Sequence, residues 1–188
     1  MEVVVPPEAA EAEAEARGPQ ESLEDYVCRL ARAKAEAVAA TVARGTILAC
    51  DTLSEVDGRP LGKPADRADA ERMLRSLSGR VHRVVTGVCL WQRPELPPLE
   101  AHSESILEMG PLDDEFLDWY LASGMWQGKA GACGYQDARL PLRVLRGSES
   151  NVVGLPLELV RELLKKVSGL FSESTASGSR RDRAGKES

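Results

Sequence analysis

Along the N-terminal stretch the apolar positions are sparse: Val3–Val5 suits a short strand, and the alanine- and glutamate-rich residues after it suit a solvated loop or helical turn. The first strong period starts at Ser22, where Ser22-x-x-Asp25 resembles a capping box with Asp in place of Glu. Leu23, Val27, Leu30, Lys34, Val38 and Val42 then recur at intervals of three and four, predicting a helix whose apolar face carries one charge, Lys34. Thr46–Cys50 is a β-prone run that predicts a buried strand delivering Asp51-Thr52 at its C-terminal end. Asp57-Gly58 is a hairpin signal, so Leu53–Val56 and Arg59–Leu61 read as a β-ribbon that stops at Gly62-Lys63-Pro64. Asp66 caps a second helix running to Leu77, with Ala70, Met73, Leu74 and Leu77 inward and Ser78-Gly79 as its stop.

Val81–Trp91 is rich in β-branched residues and predicts a long strand, in which Gly87 marks a bulge or a close backbone approach. Glu100–Met109 alternates as its antiparallel partner. Pro111-Leu112-Asp113 opens a third helix carrying Phe116, Leu117, Tyr120 and Leu121, and Ser123-Gly124 closes it. The segment GKAGACGYQD, residues 128–137, holds three glycines and reads as a loop built for unusual backbone angles or close approach of a ligand. Leu142–Leu145 is a short strand, 147–154 a turn-rich segment, and Pro156 opens a last helix with Leu157, Val160, Leu164 and Val167 inward. Strands alternating with helices around an inserted hairpin imply an α/β domain with a mixed sheet over residues 1–171, followed by a disordered Ser-, Gly- and charge-rich tail at 172–188.

Composition narrows the possible partners. The chain has 188 residues, 43% of them hydrophobic, enough to bury one core, and no stretch nears the roughly 20 consecutive apolar residues of a membrane span. Net charge is −6, and residues 1–25 hold eight acidic side chains against one basic, a segment that repels nucleic-acid polymers. The four cysteines form no C-x-x-C pair and the N-terminus has no signal-peptide pattern, so reduced thiols in the cytoplasm are expected, with no membrane partner. Two histidines give little material for a Ser-His-Asp triad or a His-ligated metal, which leaves the chemistry to carboxylates and lysines.

Asp51 after a strand, Lys34 on an apolar face and Lys63 before a helix could converge on one cleft. Together they suit a metal-bound polyphosphate: the carboxylate holds a divalent cation or takes a proton from water, and the ammonium groups neutralise phosphate oxygens. Plainer roles exist for the same residues. Lys34 can pack its stem and snorkel, an Asp-Thr pair after a strand can be a turn, and G-K-P lacks the rest of a P-loop. Gly131 and Gly134 suit backbone devices, and Ser148 and Asn151 suit either the turn before the last helix or a ligand contact. Trp91, Trp119 and Trp126 suit core or rim, with an aromatic wall for a base as the other reading, while His82 suits a structural role.

The wording and order of four separated segments add to this. ARAKAEAVA (31–39), ILACDTLSEVDGRPLGKPADRADAERMLRSLSGRVHRVVTGV (47–88), SGMWQGKAGACGYQ (123–136) and GSESNVVGLPLELV (147–160) closely resemble the Maf family of nucleoside triphosphate pyrophosphatases, over about residues 25–165. The resemblance implies a two-lobed α/β fold around a cleft, similar to that of inosine triphosphatases. It also implies metal-dependent hydrolysis between the α- and β-phosphates, with Mg²⁺ or Mn²⁺ as the cofactor. By the same resemblance Asp51 is the proton acceptor, Lys34 and Lys63 contact phosphates, and Thr52 and Gln136 govern choice of substrate. The Asp-Thr pair and the Gln look like the branch acting on dTTP and UTP, with CTP or modified pyrimidine nucleotides as further substrates. The Gln136 amide carries a donor and an acceptor that can read the pyrimidine N3–H and O4.

The similarity starts at the strand E-V-V-V-P. The family's usual S-x-S-P-R-R loop, whose arginines grip the triphosphate, has no counterpart here and is expected upstream of Met1. Glu11 or Glu8 stands where the family has an acidic metal ligand, so Asp51 and Glu11 are the metal candidates. The alternatives carried forward are a non-catalytic nucleotide-binding homologue with a role in cell division and a metal-dependent phosphohydrolase releasing orthophosphate. A homodimer is the assembly considered.

Overall fold

The computed structural model describes residues 17–137 and 139–181, with side chains as far as residue 170. The expected strand at Val3–Val5 and the metal candidates Glu8 and Glu11 lie outside them. Helix α1 (Leu23–Ala39) starts at Ser22, whose Oγ accepts the Asp25 N–H at 3.0 Å. The reciprocal half of the box differs from expectation: the shorter Asp25 carboxylate accepts the Ser22 hydroxyl at 2.7 Å. The buried line of α1 is Leu23, Val27, Ala31, Ala35 and Ala39, one residue every turn, and Lys34 flanks it. Small residues on that line let the helix lie close to the sheet.

Strand β1 (Gly45–Val56) runs straight through Asp51-Thr52 instead of ending there. It turns at Asp57-Gly58, both at positive φ, into β2 (Arg59–Leu61). Helix α2 (Arg67–Leu77), capped by Asp66, leads to the long strand β3 (Val81–Arg93), which pairs with β4 (Leu99–Met109). Helix α3 (Asp114–Ser123) ends at Gly124 in the left-handed region. Strand β5 (Leu142–Arg146), the short helix α4 (Glu149–Val152) and the long helix α5 (Leu157–Arg181) complete the chain. Helix α5 continues to Arg181, past the position where the tail was expected to begin.

The sheet order is β2-β1-β3-β4-β5, and every pairing is antiparallel. Among the described residues the sheet is therefore antiparallel where a mixed one was expected, because β1–β2 and β3–β4 are joined directly as hairpins. Helix α1 covers one face: Ile47, Ala49 and Cys89 pack against Ala31, Ala35 and Ala39, and Leu53 and Val85 against Leu23 and Val27. Gly87 permits this contact, since a Cβ there would stand 2.3 Å from the Val27 carbonyl; the close approach, not a bulge, accounts for the glycine.

Helix α5 covers the opposite face through Val160, Leu163 and Val167 against Val88 and Leu90. Leu157 and Leu164, expected inward, are 54% and 45% exposed. A register set by Leu163 rather than Leu164 puts them on the solvent side. At the far end of the sheet, Val56, Leu61, α2, α3 and Ala132 build a separate core around Tyr120 and Leu77. This end core reaches β1 at Val56, its last residue. Among the described residues no helix is long and apolar enough to cross a membrane.

Candidate active site

The middle of β1 opens onto a cleft of about 370 Å³. Side chains alternate along the strand, so Ile47, Ala49, Asp51 and Leu53 face α1 while Cys50, Thr52 and Ser54 face the other way. Both Asp51 and Thr52 nevertheless line the cleft. Among the described residues β1 is paired on its outer side only at Ser54–Val56.

All five described candidates, Asp51, Thr52, Lys34, Lys63 and Gln136, line this cleft. Lys34 Nζ donates to Asp51 Oδ1 at 2.5 Å, and the two side chains are 17% and 14% exposed. Lys34 therefore meets an anion rather than snorkelling to water. Lys63 is exposed at the opposite wall. Its segment is tied to the glycine-rich loop, because the Gly131 N–H donates to the Gly62 carbonyl at 3.0 Å. Gly131 sits at φ 68, and a Cβ on it would press on Ser54 at 3.2 Å.

The loop 128–137 is fastened from within. Asp137 accepts the Tyr120 hydroxyl at 2.5 Å, the Gly134 N–H at 2.7 Å and the Lys129 ammonium. Burial works to raise the Asp137 carboxyl, but the hydrogen bonds from Lys129, Tyr120 and Gly134 hold it below its ordinary value. This clasp sets the backbone from which Tyr135 and Gln136 face the cleft. Tyr135 is further oriented by donating to Glu149 at 2.8 Å. Lys129, Tyr135 and Asp137 were not singled out from sequence, although a lysine and an aspartate bracketing two glycines, Gly131 and Gly134, are a signal that such a loop is pinned.

The remaining expectations resolve locally. Ser148 caps α4 and Asn151 is fully buried, its amide donating to the Val84 carbonyl at 3.2 Å and to Ser105 Oγ at 2.9 Å. Both fix the turn. None of the tryptophans lines the cleft; Trp91 and Trp126 donate to the Leu96 and Leu121 carbonyls, and Trp119 carries Arg139 over its ring at 4.6 Å. His82 does line it, 5% exposed, with Nδ1 lacking a partner among the described residues. Burial pulls its pKa down to about 4, so the ring is neutral at pH 7. Burial likewise raises the Cys50 thiol to about 11 and the Cys133 thiol to about 12, which removes both as thiolate nucleophiles.

Among the described residues no group of three His, Cys, Asp or Glu side chains could hold a metal ion by itself. The described carboxylates at the cleft are Asp51 and Asp137, and Asp137 is spent on the loop. One carboxylate plus the oxygens of a bound polyphosphate is a donor set that suits Mg²⁺.

Residues 1–167 match the family described as Maf-like protein. The chain belongs to the Maf family. Among curated Maf-related proteins, it is 48% identical over 147 residues to a dTTP/UTP pyrophosphatase of Rhodopirellula baltica, covering 78% of this chain and 65% of that protein. It is 44% identical over 163 residues to one of Symbiobacterium thermophilum, covering 86% and 81%. A third, from Pyrococcus horikoshii, is 40% identical over 137 residues, covering 72% and 73%. The chain thus spans just under two thirds of the Rhodopirellula protein's length. Every cleft residue described above falls within the part of the chain that matches the Maf family.

Proposed function

We propose that this Maf protein is a pyrophosphatase that hydrolyses dTTP and UTP to the monophosphate and pyrophosphate. The observation that carries the reading is the Lys34–Asp51 pair, set in one cleft with Lys63, Thr52 and Gln136. The names of the similar proteins support the choice of nucleotides.

In this reading Asp51, aligned by Lys34, accepts a proton from water as the water oxygen bonds to the α-phosphorus. The α–β bridging bond breaks and pyrophosphate leaves with the bridging oxygen. Lys63 and Lys34 offset the charge on the phosphate oxygens. A divalent cation, Mg²⁺ or Mn²⁺, would be held by Asp51 and the substrate phosphates and would supply further charge neutralisation; Glu11 is a second proposed ligand. Gln136 faces the base, where its amide can pair with the imide edge of uracil or thymine. Four free thiols support a reducing, cytoplasmic setting, and a homodimer is the proposed assembly.

The test is product analysis with purified protein, dTTP or UTP and Mg²⁺ or Mn²⁺. Equimolar monophosphate and pyrophosphate is the expected result. Orthophosphate as first product points to a general phosphohydrolase, and binding without turnover points to the non-catalytic nucleotide-binding reading.

A further inference from the structure

Behind Thr52 runs a short chain of buried hydrogen bonds that serves no obvious purpose in hydrolysis. Thr52 Oγ1 lies 2.9 Å from Thr86 Oγ1, and Thr86 Oγ1 lies 3.1 Å from the Asn151 carbonyl oxygen. Thr86 is fully buried. A carbonyl has no proton to give, so the single hydroxyl proton of Thr86 goes to Asn151. Thr86 can then only accept from Thr52, which commits the Thr52 proton to the protein interior. What Thr52 turns toward the cleft is a lone pair.

Two further contacts hold this polarity in place. The Asn151 backbone cannot swing away, because its side-chain amide is bonded to Val84 and Ser105 and its carbonyl also takes the Gly154 N–H at 2.9 Å. Gly154, at φ 99, keeps the oxygen open: a Cβ at that position would stand 3.2 Å from Thr52 Oγ1. Any larger residue would cover the atom that the relay has prepared.

We propose that Thr86 is a positioning residue for substrate choice, locking the Thr52 hydroxyl as an obligate hydrogen-bond acceptor for the imide N3–H of uracil or thymine. The inference rests on the pyrophosphatase reading and deepens it. Cytosine carries a lone pair at N3, which would face the lone pair of Thr52 with no proton between them. Thymine and uracil share the imide and differ in methyl group and sugar, so one fixed acceptor serves both. It takes the N–H half of base recognition and leaves the Gln136 amide hydrogens for a neighbouring carbonyl.

The experiment compares binding and turnover of UTP, CTP and UTP methylated at N3, using wild type, Thr86→Val and Thr86→Ser. Wild type is expected to bind N3-methyl-UTP and CTP at least about tenfold more weakly than UTP. In Thr86→Val the Thr52 hydroxyl is released to donate or accept, and the UTP:CTP ratio of kcat/KM falls about tenfold through KM. Thr86→Ser, which keeps the relay proton, retains the wild-type ratio.

Equal loss for all nucleotides in Thr86→Val, or wild type binding N3-methyl-UTP as well as UTP, overturns the assignment while leaving the pyrophosphatase reading intact. Wild type that neither binds nor hydrolyses UTP removes both. If Thr86→Val does not fold, Thr86→Ala, which also removes the relay hydroxyl, is expected to show the same fall in the UTP:CTP ratio, and an unchanged ratio in a folded Thr86→Ala overturns the assignment.

Discussion

Lys34 Nζ and Asp51 Oδ1 stand 2.5 Å apart across the seam between α1 and β1, each side chain more than four-fifths buried. In such a setting the ammonium orients the carboxylate through its Oδ1. Asp51→Asn keeps the shape but cannot accept a proton. Turnover is expected to fall on the order of 10²–10⁴-fold with cooperative unfolding preserved. Pyrophosphate release alongside a thermal melt checks this, and full activity in the variant refutes the role.

Lys63 and Gln136 sit on opposite sides of the same question. Lys63→Ala is expected to slow dTTP, UTP and CTP by a common factor, because a phosphate contact does not know the base. Gln136→Ala is expected to reorder them. Parallel kcat/KM measurements on the three nucleotides separate the two patterns, and a base-dependent Lys63 effect or an unchanged Gln136 ranking contradicts the assignment.

His82 makes stability pH-dependent. Its folded pKa, about 4, lies below the ordinary 6.5, so between those values the unfolded chain binds a proton that the folded chain refuses. The stabilising contribution is complete above pH 6.5 and is lost as pH falls toward 4, on the order of 3 kcal/mol in all. Urea unfolding of wild type and His82→Leu across that window is expected to show wild-type stability, taken relative to the variant's, falling as pH drops. A constant gap would mean that the ring is not held neutral.

Gly87→Ala tests the contact between helix and sheet. A methyl group at 2.3 Å from the Val27 carbonyl forces α1 off β3. Because α1 carries Lys34, a loss of about 3 kcal/mol in stability is expected together with reduced turnover. Chemical denaturation and activity of the same preparation give both numbers.

Element existence was largely legible because caps and turns are local. Ser22, Asp66, Asp57-Gly58 and Gly124 each act through neighbours within four residues and start, turn or end their elements as read, with only the reciprocal half of the Ser22 box differing. Packing faces were harder. Leu30 and Val38 outrank alanine in hydrophobicity, yet Ala31 and Ala35 are the buried residues of α1, because the sheet approaches closely enough at Gly87 to admit only small side chains. The continuity of β1 through Asp51-Thr52 into the ribbon strand Leu53–Val56 escaped because β3 supplies partners along its whole length that no local pattern announces. Asp51, Thr52, Lys34, Lys63 and Gln136, which their motifs single out, line one cleft. The Asp137 clasp and the Thr86 relay were not legible, since hydroxyl and carboxylate partners are chosen by the fold across dozens of residues.

The consecutive placement of Asp51 and Thr52 on one strand has an evolutionary consequence. A pleat sends neighbours to opposite sides, so in the proposed reading the proton acceptor Asp51 and the base-reading Thr52 share one strand but pack on different faces. On that reading, substitutions around Thr52 change the choice of nucleotide while the packing of Asp51 against helix α1 stays as it is. Such a scaffold is suited to diversify by exchange of inspectors under a fixed blade.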